Sequence, residues 1–448
     1  MAKYDVFVIG TGVAGTKIAD ACSTAGKKVG ICDYREYGGT CGLRGCVPKK
    51  VLTSVAEAQI RLQGYKEKGI ITGETLVNWE NLIKFKETFT QDLPRDKERD
   101  LAEHDIDMYH GKAKFIDPHK LKIGDQIIET DIVVLATGAE PRIMNIPGEE
   151  YVITSAEFMN LPALPDSILF IGGGYISFEL GQVANVVGAK VTILERSSRP
   201  LGTFEPELAK LLAQNFADSG IVIETETSVV SIKKQGNKFL VEAESGKVFI
   251  TDMVVHGAGR VPRFQELELD KAGVKTDSHG IILNPHLQSI SNSQVYVAGD
   301  AVSDPHSLPL TPIASLEAKI VIHNILNHAK KSPNYAGTAS ALFTFPPLAR
   351  VGMLEADAKR HHIDYRVSFG DTSDLDSTKR LALKVSAYKI IIKKDDSTII
   401  GAHLLGHHVD EVINLFALAI RNGLTVDDLK ETIWSYPSVS DVLDDMLG

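Results

Sequence analysis

Two glycine-rich segments of matching design constrain how this chain can fold. Residues 10–15 and 172–177 each follow a short apolar run, and each precedes a helical stretch and a second apolar run. Each second run ends at an acid, Asp33 or Glu195, at the same distance from the first glycine. In a dinucleotide-binding βαβ unit the glycines admit a pyrophosphate to the helix N-terminus, and the acid binds ribose hydroxyls. The repeat therefore favours two dinucleotide sites over glycine turns in an ordinary α/β sheet.

The composition excludes several classes of protein. The chain has 448 residues, which predicts about three domains. Its net charge is −10, without a basic block, so a nucleic-acid surface is not expected. No apolar run reaches the roughly 18 residues of a membrane span, and the first apolar stretch is too short for a signal peptide. We therefore expect a cytoplasmic protein with no membrane or nucleic-acid partner.

Two of the four cysteines form a candidate redox pair. Cys41 and Cys46 lie five positions apart with glycines between them, so they can close a disulfide ring. Pro48 and the apolar spacing beyond it predict a helix that starts near Cys46. The helix dipole would stabilise a thiolate there, together with the nearby cations Arg44, Lys49 and Lys50.

No metal site is predicted. The Cys-x-x-Cys spacing of zinc sites is absent. The dipeptides 361–362 and 407–408 are both His-His but lack a carboxylate or cysteine partner pattern, so we expect them at the solvated surface. Cys22, in a predicted helix, and Cys32, in a predicted strand, are expected to be inert core residues.

These motifs resemble those of the class I flavoprotein disulfide reductases, the group that contains glutathione reductase, dihydrolipoamide dehydrogenase and mercuric reductase. The resemblance covers essentially the whole chain. Besides the glycine segments and the cysteine pair, it rests on the segments 110–115, 136–138, 299–300, 310–314 and 345–355. It implies an α/β fold with two Rossmann-like dinucleotide-binding domains and a C-terminal α+β dimerisation domain.

The resemblance implies FAD on the first glycine unit and NAD on the second, with NADP not excluded. The expected domains are an FAD-binding domain over 1–148, an NAD(P)-binding domain over 149–272, a central segment over 273–338 that completes the FAD site, and an interface domain over 339–448. The expected protein is a homodimer whose subunits share each active site.

The resemblance also implies roles for individual residues. Cys46 would face the flavin and form the charge-transfer complex, and Cys41 would attack the substrate. Lys50 and Glu179 would form an ion pair beside the flavin N5, and the ring of Tyr175 would move aside for the nicotinamide. Asp300 would bind the FAD ribityl chain. The further residues implied in cofactor binding are Gly10, Gly12, Gly15, Asp33, Gly39, Thr40, Ala113, Thr137, Gly138, Gly172, Gly174, Glu195, Arg196, Gly259 and Thr311.

The chain departs from this family at the expected general base. The family carries a His-Pro dipeptide there, with a Glu five residues after the His, whereas this chain has Tyr436-Pro437 and Asp441. Tyrosine has a reference pKa of ~10 against ~6.5 for histidine, so it is a poor base at neutral pH. Mercuric reductases resemble this chain in carrying Tyr there, but they typically end in a cysteine pair that this sequence lacks.

The nucleotide preference depends on opposing charges. Glu195 should bind both ribose hydroxyls and repel a 2′-phosphate, which favours NADH. Arg196 and Arg199 follow at once and could clamp that phosphate. We expect NADH to be preferred.

We predict a flavoprotein that passes hydride from the nicotinamide to FAD and then electrons to the Cys41–Cys46 disulfide, which reduces a small disulfide. The alternative is an NAD(P)H-dependent reductase of metal ions or quinones, which Tyr436 favours. A third hypothesis is a redox sensor without turnover, or a subunit of a larger complex.

Overall fold

The computed structural model describes residues 1–448, except for the side chain of Asp441. Two compact units are present. The first unit comprises Met1–Pro48, Phe85–Arg142 and Arg260–Tyr335, and the second comprises Lys49–Lys84, Ile143–Gly259 and Ala336–Gly448. Each unit is thus assembled from segments that are distant in sequence. No helix in the described part of the chain is long and apolar enough to cross a membrane.

The strands run along the chain in this order: β1 Ala2–Ile9, β2 Val29–Asp33, β3 Asp107–His110, β4 Ala113–Asp117, β5 Lys120–Ile123, β6 Gln126–Leu135, β7 Ala139–Pro141, β8 Ser167–Ile171, β9 Lys190–Leu194, β10 Val222–Glu224, β11 Val229–Gln235, β12 Lys238–Ala243, β13 Val248–Thr251, β14 Met253–His256, β15 Arg260–Pro262, β16 Val295–Val297, β17 Ala339–Leu342, β18 Leu348–Gly352, β19 Tyr365–Asp371, β20 Ala387–Lys393 and β21 Ile399–Leu405.

The α-helices are α1 Val13–Thr24, α2 Gly39–Arg44, α3 Cys46–Glu67, α4 Trp79–Glu87, α5 Leu93–Glu103, α6 Ser155–Phe158, α7 Tyr175–Val187, α8 Pro206–Asp218, α9 Thr311–Asn327, α10 Glu355–Arg360, α11 Asp376–Lys379, α12 Val409–Asn422, α13 Val426–Lys430 and α14 Leu443–Leu447.

The first unit is built on a sheet whose central strands are parallel. The order is β3-β2-β1-β6-β5-β4, and β16 also pairs with β6. The second half of β1, residues 6–9, is an unbroken buried apolar run, which is typical of a parallel strand that is covered on both faces. Its last residue, Ile9, pairs with Cys32 on β2 and with Leu135 on β6. The carboxyl ends of three strands therefore meet beside the first glycine segment, where a ligand binds in this class of sheet.

The second unit contains a parallel sheet of its own and two antiparallel sheets, one of which has three strands in the order β11-β12-β13. The parallel sheet has the order β10-β9-β8-β14, and Ile171 at the end of β8 pairs with Leu194 and with His256. The five-stranded antiparallel sheet has the order β17-β18-β21-β20-β19. Helix α12 packs on the latter through residues spaced for one helical face: Val409, Val412, Ile413, Phe416 and Ala419. The predicted fold class is confirmed.

One expectation about the histidine dipeptides is wrong. His361 and His362 are exposed, as expected. His408 is exposed as well, but His407 is half-buried. The His407 ring is tilted by 40° against the His408 ring at a centroid distance of 3.6 Å, with Phe345 packed edge-on. Burial lowers the pKa of His407 to about 4. The apolar partner is distant in sequence, so local composition could not reveal it.

Candidate active site

The two cysteines of the sequence motif meet at a junction of helices in the first unit. Cys41 lies in α2, and Cys46 is the first residue of the 22-residue helix α3. Thr311, which begins α9, donates a hydrogen bond of 3.0 Å from Oγ1 to Cys41 Sγ and lies 3.5 Å from Cys46 Sγ. A hydrogen bond with Cys46, followed by burial, raises the pKa of Cys41. Both sulfurs therefore lie beside Thr311 Oγ1, with Cys46 at the N-terminus of α3.

The lysine paired with Glu179 is not the one that we predicted. Lys49 Nζ lies 2.8 Å from Glu179 Oε1, with only 17 % and 6 % of the two side chains exposed. Lys50 is 48 % exposed and lies 3.9 Å from Asp410. The Lys50–Glu179 pair predicted from the sequence is therefore wrong. Successive residues of an α-helix point about 100° apart, so only one of two adjacent lysines can face Glu179 on α7.

Helix α7 fixes the segment that joins β17 to β18. Glu179 Oε1 also accepts a 2.8 Å hydrogen bond from the backbone N–H of Phe343. One turn later, Gln182 accepts from Phe345 N at 2.7 Å and donates to Phe345 O at 2.8 Å. Tyr175, the first residue of α7, is packed on Phe204 with ring centroids 5.4 Å apart. Three hydrogen bonds from Glu179 and Gln182 thus hold the segment between β17 and β18 against α7.

The first glycine turn fits a dinucleotide phosphate. Gly10 has φ +111°, and a Cβ there would overlap the carbonyl of Ala136, so the turn requires glycine. Gly12 caps α1 without a side-chain hydrogen bond, and nothing lies within 4 Å of a Cβ placed on it. Asp33 Oδ2 accepts from Thr11 N at 2.9 Å and from Thr11 Oγ1 at 2.8 Å. The open helix N-terminus and the adjacent carboxylate suit a pyrophosphate and a ribose diol.

The second glycine turn repeats this design. Gly172 has φ +100°, and a Cβ on it would overlap the carbonyl of Gly257. Glu195 Oε2 accepts from Gly173 N at 2.7 Å, and its Oε1 accepts from Ser197 N at 2.7 Å. Gly174 caps α7 without a side-chain hydrogen bond, as Gly12 caps α1. The carboxylate is thereby fixed at the end of β9, beside the open helix N-terminus.

The two arginines that follow Glu195 are not equivalent. Arg199 donates from Nη1 to Phe204 O at 3.0 Å and from Nη2 to Gly202 O at 3.1 Å. Its guanidinium is therefore bound to backbone carbonyls of the loop that follows it. Arg196 is exposed next to Glu195. Of the two arginines, only Arg196 is left to contact a 2′-phosphate.

The other predicted cofactor residues fall at the ends or turns of the same elements. Asp300 belongs to the short turn Gly299–Ala301, and burial raises its pKa while Arg260 opposes the shift. Thr137 donates from Oγ1 to Arg263 O. The remaining positions lie in α2, in β4, directly before β7 and directly before β15: Gly39 and Thr40, Ala113, Gly138 and Gly259. Gly15 lies in the first turn of α1, against the Gly10 carbonyl.

Sequence interpretation missed a buried carboxylate that supports this region. Glu317, on α9, is 0 % exposed. It accepts from Gly299 N at 2.7 Å, Ser307 Oγ at 2.6 Å and Tyr335 Oη at 2.7 Å. It therefore holds the turn that carries Asp300. An acid among the buried apolar positions of a helix was the pattern that could have revealed it.

A second buried charge cluster lies in the second unit. Lys389 Nζ lies 2.9 Å from Glu205, 2.9 Å from Glu207 and 2.6 Å from Glu355. Burial opposes the charge of Lys389, but these hydrogen bonds raise its pKa overall. The three carboxylates are grouped closely enough to hold a metal ion, yet they already share the lysine ammonium.

The predicted base position lies on the surface of the second unit. Tyr436 is 86 % exposed between α13 and α14. The side chain of Asp441 lies outside the described residues. Cys41 and Cys46 belong to the first unit. The predicted role of Tyr436, at the position of the general base, stays a prediction.

Comparison with protein families gives matches along nearly the whole chain. Residues 4–318 match the family described as "Pyridine nucleotide-disulphide oxidoreductase". Residues 338–447 match its dimerisation domain. The second match indicates a homodimer.

Named relatives and solved structures agree with these matches. The chain is 30 % identical to a mercuric reductase of Staphylococcus aureus, over 98 % of this chain and 81 % of that protein. It is also 30 % identical to a dihydrolipoyl dehydrogenase of the same species, over 98 % and 95 % of the two chains. A Cu(II) complex of the HOCl-induced flavoprotein disulfide reductase RclA from Escherichia coli is 27 % identical, covers 100 % of this chain and 99 % of its own, and gives a TM-score of 0.90.

Proposed function

Because the chain belongs to the pyridine nucleotide-disulphide oxidoreductase family and is an FAD-dependent NAD(P)H:disulfide oxidoreductase, we propose that Cys41 and Cys46 deliver its electrons to a small disulfide. The observation that carries this proposal is the hydrogen-bonded thiol pair beside Thr311. A further part of the proposal is that the protein acts in the cytoplasm.

The residues at the two glycine turns fit the two cofactors. The open N-terminus of α1 and Asp33 would hold FAD, with Asp300 at its ribityl chain. The open N-terminus of α7 and Glu195 would hold the nicotinamide nucleotide. When bound, these cofactors supply the hydride chemistry, and the protein supplies orientation and charge. Lys49, held by Glu179, would place a fixed positive charge beside the flavin.

The thiol pair would reduce a disulfide by two exchange steps. Cys41 Sγ attacks one substrate sulfur, which forms a mixed disulfide and breaks the substrate S–S bond, and the Cys41 proton passes to the first departing thiolate. Cys46 then attacks Cys41 Sγ, which releases the second thiolate and leaves the Cys41–Cys46 disulfide oxidised by two electrons. Each departing thiolate needs a proton, and Tyr436 of the partner subunit is the group that we propose to face this site.

A second candidate acceptor is a thiophilic metal ion such as Cu(II). Two Cu(II) ions would each take one electron from the dithiol, which gives two Cu(I) ions and the Cys41–Cys46 disulfide. No protonated thiol product is required, so the weak base Tyr436 would not limit this reaction. The similarity to mercuric reductase and to the Cu(II)-bound RclA supports this candidate.

An anaerobic panel of acceptors tests both candidates. The purified dimer is mixed with NADH or NADPH and then with glutathione disulfide, an aryl disulfide or Cu(II). Cys41→Ser and Cys46→Ser should abolish reduction of every acceptor that needs the thiol pair. The matched control is Cys22→Ala, because Cys22 is buried in α1 and burial raises its pKa to about 11. Full turnover of every acceptor in Cys41→Ser would contradict the proposal.

A further inference from the structure

One aromatic ring contacts both of the adjacent lysines at the start of α3. The ring centroid of Phe343 lies 4.2 Å from Lys49 Nζ and 4.1 Å from Lys50 Nζ. A cation within about 6 Å of a ring centroid and over its face is attracted by the ring quadrupole. Phe343 follows β17 directly, nearly 300 positions from the lysines along the chain. This contact is therefore a product of tertiary packing alone.

The backbone of Phe343 contacts the same ion pair. Its N–H donates to Glu179 Oε1 at 2.8 Å, and Lys49 Nζ donates to that oxygen at 2.8 Å. The residue thus holds Lys49 directly through its ring and also fixes the carboxylate that pairs with Lys49. Because Gln182 binds both backbone polar groups of Phe345, the ring is anchored to α7 rather than carried on a loose loop.

A lysine side chain needs such support to hold one position. Its ammonium is a compact charge on a flexible four-carbon stem. Lys50 follows Lys49 directly and is also a cation, but it lies on a different face of α3. The structure separates them, because Lys49 lies against Glu179 and Lys50 lies 3.9 Å from Asp410, with the Phe343 ring in contact with both.

We propose that Phe343 is a positioning residue for the reductive half-reaction, which fixes the Lys49 ammonium on Glu179 through its ring and its backbone N–H. This inference rests on the proposed placement of Lys49 beside the flavin. A fixed ammonium stabilises negative charge that develops next to it, whereas a mobile one must first be reorganised. Removal of the ring should therefore make the flavin harder to reduce.

The test compares variants that keep or remove the ring quadrupole. Phe343→Tyr keeps it, Phe343→Leu removes it, and pentafluorophenylalanine at position 343 reverses it with nearly the same shape. Two quantities are measured on each holoenzyme: the midpoint potential of the flavin against redox dyes, and the single-turnover rate of reduction by NADH. For the leucine and pentafluoro variants we expect a lower potential and a rate about three- to tenfold slower. Phe343→Tyr should stay within about twofold of the wild type.

A matched control comes from another lysine–ring contact of the same unit. Lys247 Nζ lies 4.8 Å from the centroid of the Phe249 ring, and its carboxylate partner is Glu224 at 2.7 Å. Phe249→Leu should change neither the potential nor the rate. If the leucine variant fails to fold, the pentafluoro variant carries the comparison because its shape is conserved. Potentials equal to the wild type in both variants would overturn the inference.

A double-mutant cycle tests whether Phe343 acts through Lys49. In a Lys49→Met background, Phe343→Leu should have no further effect on the potential, whereas additive effects would overturn the inference. Failure of the proposed function is distinguished by a different result. If neither nucleotide reduces the wild-type flavin, the proposed function fails, while the dye-measured potentials still decide the role of Phe343.

Discussion

Lys49 Nζ lies 2.8 Å from Glu179 Oε1, whereas the adjacent Lys50 points to Asp410 at 3.9 Å. Charge-assisted hydrogen bonds of this kind are worth roughly 1.5–3 kcal/mol, because neither group is well solvated. The relationship assigns different tasks to two lysines that the sequence alone cannot distinguish.

Lys49→Met should therefore slow flavin reduction by NADH about 10- to 100-fold, since 1.4 kcal/mol corresponds to tenfold in rate. Lys50→Met should slow it by less than about threefold, because Lys50 lies 3.9 Å from its carboxylate rather than 2.8 Å and its side chain is more exposed. Anaerobic stopped-flow absorbance at the flavin band measures both rates. Equal losses in the two variants would show that the observed pairing does not govern reduction.

The thiol roles predict distinct spectra. Partial reduction of the wild type should produce a long-wavelength band from the Cys46 thiolate beside oxidised flavin. Cys46→Ser should abolish this band, and Cys41→Ser should display it without any reductant, because Cys46 then remains a thiolate. Cys22→Ala serves as the control and should match the wild type. A band that persists unchanged in Cys46→Ser would reverse the assignment.

The nucleotide site predicts a preference for NADH. Glu195 is fixed by Gly173 and Ser197, and Arg199 is engaged by its own loop, so a 2′-phosphate would meet a carboxylate with one arginine nearby. We expect kcat/KM to favour NADH by about tenfold or more, which equals about 1.4 kcal/mol. Glu195→Ala should reduce this ratio. A preference for NADPH that is lost in Arg196→Ala would show that the guanidinium decides.

Tyr436 predicts slow reduction of unactivated disulfides. A positioned acid–base group raises a reaction rate by ~10²–10⁴-fold. A phenol is already protonated near neutral pH, so it cannot accept the proton of an attacking thiol. Glutathione disulfide should turn over slowly at pH 7, and aryl disulfides or metal ions faster. Tyr436→His should raise glutathione disulfide turnover at least several-fold. Rapid wild-type turnover that Tyr436→Phe leaves untouched would show that this position plays no part in proton transfer.

Buried histidine predicts a loss of stability in mild acid. Burial lowers the pKa of His403 to about 4, and its Nδ1 is buried without a hydrogen-bond partner among the described residues. Lys389 and Arg350 also disfavour its protonation. Between the unfolded pKa of ~6.5 and the folded value, the unfolded chain binds the extra proton, so stability falls as pH falls.

The expected slope is up to about 1.4 kcal/mol per pH unit from each such histidine across that window. His403→Gln should reduce the slope of unfolding free energy between pH 6.5 and pH 4, as measured by urea denaturation. His361→Gln is the control because His361 is exposed. An unchanged slope in His403→Gln would mean that His403 is protonated in the folded state.

The glycine turns and the cysteine pair could be identified from the sequence because their chemistry depends on local spacing. Gly10 and Gly172 adopt positive φ in turns whose lengths are set by a few consecutive residues. Cys41 and Cys46 lie close enough along the chain that a short helix and one glycine bring them together. The two βαβ units around the glycine turns followed from the same local patterns, and the resemblance of the motifs to a known family supplied the rest of the fold class.

Other features depended on partners that are distant along the chain. The choice of Lys49 over Lys50 depends on how α3 is rotated against α7, and the ring between them comes from a segment nearly 300 residues away. Glu317 became a support for Asp300 only when α9 packed beneath the Gly299 turn. Local sequence thus determined the turns, the thiol pair and the secondary structure, since these depend on backbone conformation and short spacings. Tertiary packing alone decided which charged side chains meet, because the partner of a side chain on a helix depends on which other elements pack against that face of the helix.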